Sequence, residues 1–115
     1  MSVDCKRGEI YLVNWDPARG SEQAGTRPAV IIQNDIGNTF SPTTIVAACS
    51  TAGTKAYPFI VKIKAKESGL DRDCAVNLAQ ILTISKARLV KKIGQLSPEK
   101  TVDIDNAIVN SLGLK

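Results

Sequence analysis

The longest apolar run in this chain, Ile45-Val46-Ala47-Ala48-Cys49, is five residues long, and the others are shorter. Runs of this length suit strands and fall far short of the roughly 20 apolar residues that a bilayer span needs. Glu9 to Trp15 is rich in β-formers and is stopped by Asp16-Pro17. Arg27 to Gln33 predicts a second strand, ended by the turn residues Asn34, Asp35, Gly37 and Asn38, and Thr43 to Ser50 a third. Phe59, Val61 and Ile63 alternate with Ile60, Lys62 and Lys64, so a fourth, half-buried strand should turn its lysines outward. A short helical turn is expected over Ala65 to Ser68, followed by strands over Cys74 to Leu82 and Leu89 to Leu96.

Only the last segment reads as a full helix. Ser97 fits the N-cap, Pro98 the first helical position and Gly113 the residue that stops it. Val102, Ile108, Val109 and Leu112 give a stripe interrupted only by Asp105, which should lie on the sheet. The 115 residues match the size of one domain, so a single unit over residues 1–115 is expected. Short strands plus one terminal helix predict a mainly β fold with a minor helical part: a small, strongly bent antiparallel sheet or barrel.

Composition narrows the chemistry. The chain has no histidine, so catalysis must do without the side chain best suited to proton transfer at neutral pH. Cys5, Cys49 and Cys74 are odd in number and widely spaced, which argues against a disulfide framework or a metal site and for reduced thiols. No cofactor is implied, and the N-terminus lacks the apolar segment of a signal peptide, so a cytoplasmic location is expected. Fifteen basic residues against eleven acidic ones leave a net charge of +4, a modest bias toward a polyanionic partner. The clusters Lys55, Lys62, Lys64, Lys66 and Arg88, Lys91, Lys92 read either as solvated faces or as a phosphate track.

The densest chemistry sits in Gly20-Ser21-Glu22-Gln23-Ala24-Gly25-Thr26-Arg27-Pro28, a polar, glycine-bracketed loop. Arg27 can grip a phosphate bidentately and is always charged, which suits it to stabilising a phosphorane and not to acting as a base. Glu22 can accept a proton if its pKa is raised, or can orient Arg27 as an ion-pair partner. Ser50 and Thr51, at the end of the third strand, can donate to a phosphate oxygen or satisfy local backbone groups. Asn34 and Gln80 can read base edges, and Trp15 is the aromatic nearest a loop, whereas Tyr11, Tyr57 and Phe59 are expected in the core.

Arg7-Gly8-Glu9-Ile10-Tyr11, Trp15-Asp16-Pro17, the Gly20 to Pro28 loop, Gln33-Asn34-Asp35, Ser41-Pro42-Thr43, Tyr57-Pro58-Phe59, Leu78-Ala79-Gln80-Ile81, Lys86-Ala87-Arg88-Leu89 and Ser111-Leu112-Gly113 run in an order that resembles the MazF/PemK toxins. The resemblance covers nearly the whole chain. It implies an SH3-like antiparallel β-barrel with a C-terminal helix and a homodimer. It further implies a sequence-specific, metal-independent endoribonuclease that cuts single-stranded RNA and is neutralised by a MazE-like antitoxin. It maps the family's catalytic arginine onto Arg27, its second catalytic residue, usually threonine, onto Ser50 with Thr51 as the register alternative, and its loop glutamate onto Glu22. RNA contacts map onto Ser21, Gln23, Asn34 and Gln80.

An RNA 2′-hydroxyl can attack its own neighbouring phosphorus, which explains how such a chain cuts RNA without histidine. Two rivals share the fold: a non-enzymatic, CcdB-like gyrase inhibitor, and a nucleic-acid-binding module with no toxicity. Neither needs Arg27 and Ser50 to meet.

Overall fold

The computed structural model describes residues 4–15, 25–50 and 56–114. Six strands form one antiparallel sheet in the order β4-β5-β3-β2-β1-β6, with β1 Glu9–Asn14, β2 Thr26–Ile31, β3 Thr43–Ser50, β4 Ile60–Ile63, β5 Cys74–Ser85 and β6 Leu89–Gln95. Among the described residues three α-helices accompany them: α1 Asp35–Phe40 and α2 Ala65–Ser68 between strands, and α3 Pro98–Leu112 after the last one. The mainly β class with a terminal helix therefore holds, as a strongly bent sheet.

Both faces of the sheet are buried at its centre, because β1, β2 and β3 carry apolar residues at successive positions. One apolar patch joins Ile10, Val30, Ala47, Cys49, Val76 and Leu78 to Ile104 and Ala107 of α3. The other joins Tyr11, Val13, Ala29, Ile31, Val46 and Ile84, with Trp15 packed against it. Lys62 of β4 and Lys64 just past its end are exposed, as their alternation with Val61 and Ile63 requires.

Helix α3 starts and stops where its caps dictate. The Ser97 hydroxyl accepts the Lys100 N–H, Pro98 opens the first turn, and Gly113 at φ 70° takes the left-handed closing position. The buried stripe differs from the expected one. Ile104 and Ala107 face the sheet, with Ile108 beside them, while Val102 and Leu112 are more than half exposed. Asp105 lies on the rim, where it pairs with Arg7 at 2.8 Å. Anchors outside the stripe set the rotation: the Ser111 hydroxyl donates to the Leu78 carbonyl at 2.7 Å, and Arg7 also donates to the Ile32 carbonyl at 2.8 Å.

The expected turn after the second strand is instead helix α1. Asn34 is its N-cap, accepting the Gly37 N–H at 2.8 Å. Asn38 is buried and fully used: it donates to the Gln33 carbonyl and Asp35, and accepts from Gln33 and the Thr44 hydroxyl. Lys86, also buried, donates from Nζ to the Asn38 carbonyl. Tyr57 departs from its expected core position as well, lying about half exposed with its ring stacked on Phe59 at 5.2 Å.

Candidate active site

The site begins with a proline. Along β2 the odd residues bond toward β1, as the Gly25 carbonyl does in accepting the Trp15 N–H, and the even ones toward β3, as Ile32 does in donating to Ile45. Pro28 is even, so the N–H it lacks is one that β3 would have received. The β2–β3 ladder accordingly runs from Ile31↔Val46 to Ala29↔Ala48 and no further. Two residues beyond that last pair stand Arg27 on one strand and Ser50 on the other, both exposed.

Each is nevertheless held on its other side. Arg27 pairs with Val13 of β1, and Ser50 with Ala75 of β5. Period-two alternation puts Arg27 on the face of Ala29 and Ile31, and Ser50 on the face of Val46, so both side chains project from one side of the sheet. A guanidinium and a hydroxyl thus share a mouth between splayed strand ends, where a phosphate can be gripped from two sides.

The surroundings reinforce the positive end. Arg88 donates from Nη1 to the Asn14 carbonyl at 3.1 Å, next to the Val13–Arg27 pair. Trp15, on the same face as Val13, has a buried indole N–H without a hydrogen-bond partner. The phenol of Tyr11 is pushed up to about 12, first by burial and then by the Glu9 charge, so it stays protonated and offers no base.

The other expected site residues are distributed differently. Gln80 lies exposed within β5, where the pairing with β3 shifts register between Ala47 and Cys49. Asn34 stands beyond the far end of β2, roughly 20 Å of chain from Arg27, with its side chain engaged as the α1 cap. Glu22, Ser21, Gln23 and Thr51 lie outside the described residues.

The sequence offered no sign of a second feature, a groove of about 540 Å³ on the opposite face of β2 from Arg27. Leu12, Pro28, Leu70 and Ile93 form its apolar wall, and Arg72 and Lys91 give it positive charge. Its residues come from four separate segments, so no local pattern announces it. Two residues of the basic cluster near the C-terminus line it, Lys91 and Lys92, the latter also pairing with Glu9 at 3.1 Å.

Residues 6–112 match the family described as PemK-like, MazF-like toxin of type II toxin-antitoxin system. A protein named Endoribonuclease MazF from Staphylococcus epidermidis is 49% identical over 110 residues, spanning 95% of this chain and 92% of that protein. Among solved structures, a MazE-MazF structure from Deinococcus radiodurans superposes with a TM-score of 0.81 at 18% identity, covering 98% of this chain and 100% of the other. An endoribonuclease in complex with its cognate antitoxin from mycobacterial species gives 0.81 at 22% identity, covering 96% and 97%. At those identities the two structures establish the fold alone.

Proposed function

Since the chain belongs to the PemK-like, MazF-like toxins of type II toxin-antitoxin systems, we propose that it is an endoribonuclease that cuts single-stranded RNA between Arg27 and Ser50. The observation that carries this reading is their position two residues past the Ala29↔Ala48 pair, on one face of the sheet. The substrate's 2′-hydroxyl attacks the adjacent phosphorus, and the bond from phosphorus to the 5′-oxygen breaks. The products are a 2′,3′-cyclic phosphate and a 5′-hydroxyl. Arg27 stabilises the extra charge on the phosphorane and assists protonation of the leaving oxygen, while Ser50 holds a non-bridging oxygen. Glu22 takes the 2′-proton or orients Arg27. Thr51 is the alternative hydroxyl donor, Ser21, Gln23 and Gln80 contact the RNA around the cut, and Asn34 contacts it farther along the strand.

The protein acts in the cytoplasm as a homodimer, and a MazE-like antitoxin neutralises it. An acidic, disordered tail is the natural ligand for this basic chain, ordering as it binds. The decisive experiment offers purified protein an RNA in which the ribose 5′ to the cut carries no 2′-hydroxyl. The all-ribose substrate is cleaved to a cyclic phosphate, with or without EDTA, and the deoxy substrate survives. Cutting of the deoxy substrate would overturn the mechanism. Loss of cutting in Arg27→Ala separates the enzyme from a gyrase inhibitor or a simple RNA-binding module, which need no Arg27 chemistry.

A further inference from the structure

Cys49 and Cys74 are reduced, both belong to the apolar patch under α3, and the catalytic reading uses neither. They occupy adjacent strands. Cys49 pairs with Val76, two residues along β5 from Cys74, so the two thiols are diagonal neighbours on one face. Cys74, although only 8% exposed, also lines the groove with Arg72 and Lys91, the side from which a small solute reaches it. Cys5, the third thiol, lies across the sheet in the other apolar patch.

We propose that Cys49 and Cys74 form a peroxide-oxidised thiol pair that closes to a disulfide between β3 and β5, and that closure slows RNA cleavage by displacing Ser50. The second half rests on the endoribonuclease reading above. The Cys49 thiol donates to the Cys74 sulfur, which holds Cys74 below the usual thiol range against the opposing effects of burial and the Asp73 charge. The same bond, with burial, holds Cys49 well above it. Cys74 is therefore the attacking thiolate and Cys49 the resolving thiol.

Two steps complete the chemistry. The Cys74 thiolate attacks one oxygen of hydrogen peroxide, the O–O bond breaks, and the departing hydroxide takes a proton to become water. Cys49 then loses its proton and attacks the sulfenic sulfur of Cys74, forming the S–S bond and releasing a second water. Two thiols are oxidised and one peroxide is reduced to two waters.

Closure moves the strands. Diagonal neighbours on paired strands have Cα atoms about 7–8 Å apart, whereas a disulfide wants about 4.4–6.8 Å. The register shift between Ala47 and Cys49 is where the β3–β5 pair can yield. Ser50 directly follows Cys49 and pairs with Ala75, which directly follows Cys74, so the displacement reaches the hydroxyl without an intermediary.

The test treats the native protein with hydrogen peroxide, denatures it, alkylates free thiols and maps peptides by mass spectrometry, with RNA cleavage assayed in parallel. The expected result is a linked Cys49–Cys74 peptide with Cys5 still alkylated, and a fall in cleavage of about tenfold or more. Dithiothreitol reverses both. Cys49→Ala instead accumulates a dimedone-trappable sulfenic acid at Cys74 and forms no such link, and Cys74→Ala leaves Cys49 reduced. Oxidation of Cys74 to the sulfinic acid with Cys49 still alkylated in the wild type overturns the pair. A disulfide that leaves cleavage unchanged overturns its action on Ser50. A reduced protein that cuts no RNA counts against the endoribonuclease reading, while the peptide map still judges the thiols.

Discussion

Ser50 separates two kinds of requirement, because a hydroxyl at a splayed strand end contributes little to packing and much to a bound phosphate. Ser50→Thr should keep cleavage within a few-fold, since the donor is retained. Ser50→Ala should lower kcat by about 100- to 1,000-fold, the usual effect of losing one donor to a developing oxyanion, with thermal stability almost unmoved. If Thr51→Ala shows that loss instead, the catalytic hydroxyl lies one residue on. Arg27→Lys should also be costly, because a point charge replaces the bidentate fork; single-turnover cleavage of a labelled RNA measures both residues. Asp35 illustrates a polar residue with a structural task. The Arg7 N–H, and then the Asn38 side chain, hold its carboxyl below the usual carboxylate range. A depressed folded pKa contributes stability that is fully present above the unfolded value of about 3.9 and is lost as pH falls through the folded value. Asp35→Ala should therefore lower the urea midpoint at pH 7, by no more than about 1 kcal/mol of stability for so exposed a group. The gap should narrow below about pH 4.

At the scale of elements, α3 tests which stripe of a helix is its inner one. Ile104→Ala should cost about 2–5 kcal/mol, because Ile104 is 2% exposed, whereas Val102→Ala, at 56% exposed, should stay within about 0.5 kcal/mol. Equal losses in denaturant unfolding would put the sequence-based stripe back in place. That stripe failed for a physical reason: apolar periodicity finds a face but not the tertiary anchors, here Arg7–Asp105 and Ser111–Leu78, that rotate the helix. The strands were legible because alternation and runs of β-formers act locally, although β5 extends to Ser85, past the expected Leu82. Helix α1 was not, since Asn34, Asp35 and Gly37 serve a turn and a helix start equally well. What decides between them is the buried Asn38–Thr44–Lys86 network, built from distant segments. The same division runs through the site. Arg27 and Ser50 could be picked out as a strand start and a strand end, but only the register of β2 on β3 and the missing N–H of Pro28 explain why they share an open mouth.

For the whole molecule, the question is how a sheet with edge strands β4 and β6 bends far enough to bring the segment that follows one edge against the other. Helix α2, which follows β4, supplies the contact. A Cβ on Gly94 of β6 would run into the Ser68 carbonyl oxygen, and one on Gly69 would lie 3.7 Å from the Ile93 carbonyl oxygen. Backbone thus meets backbone across the seam, beside the groove that Leu70 and Ile93 line. The β1–β6 pairing shifts register twice on the way, between Ile10 and Tyr11 and between Leu12 and Val13, which increases twist and swings β6 toward α2. A glycine is required here for space: the obstructing atom is main chain, which cannot rotate aside as a long side chain can. Gly94→Ala should therefore destabilise by about 1–3 kcal/mol, the cost of overpacking a tight contact, although alanine is ordinarily the better strand residue of the two. Gly113→Ala is the control, since its Cβ meets nothing within 4 Å and its penalty comes only from a φ of 70° at a helix end. Chemical denaturation followed by the single tryptophan, Trp15 on the far apolar patch, reports whether opening the seam unfolds the whole sheet. A Gly94→Ala protein as stable as the wild type would mean that α2 and β6 meet loosely and that the bend is maintained by the β1–β6 bulges alone.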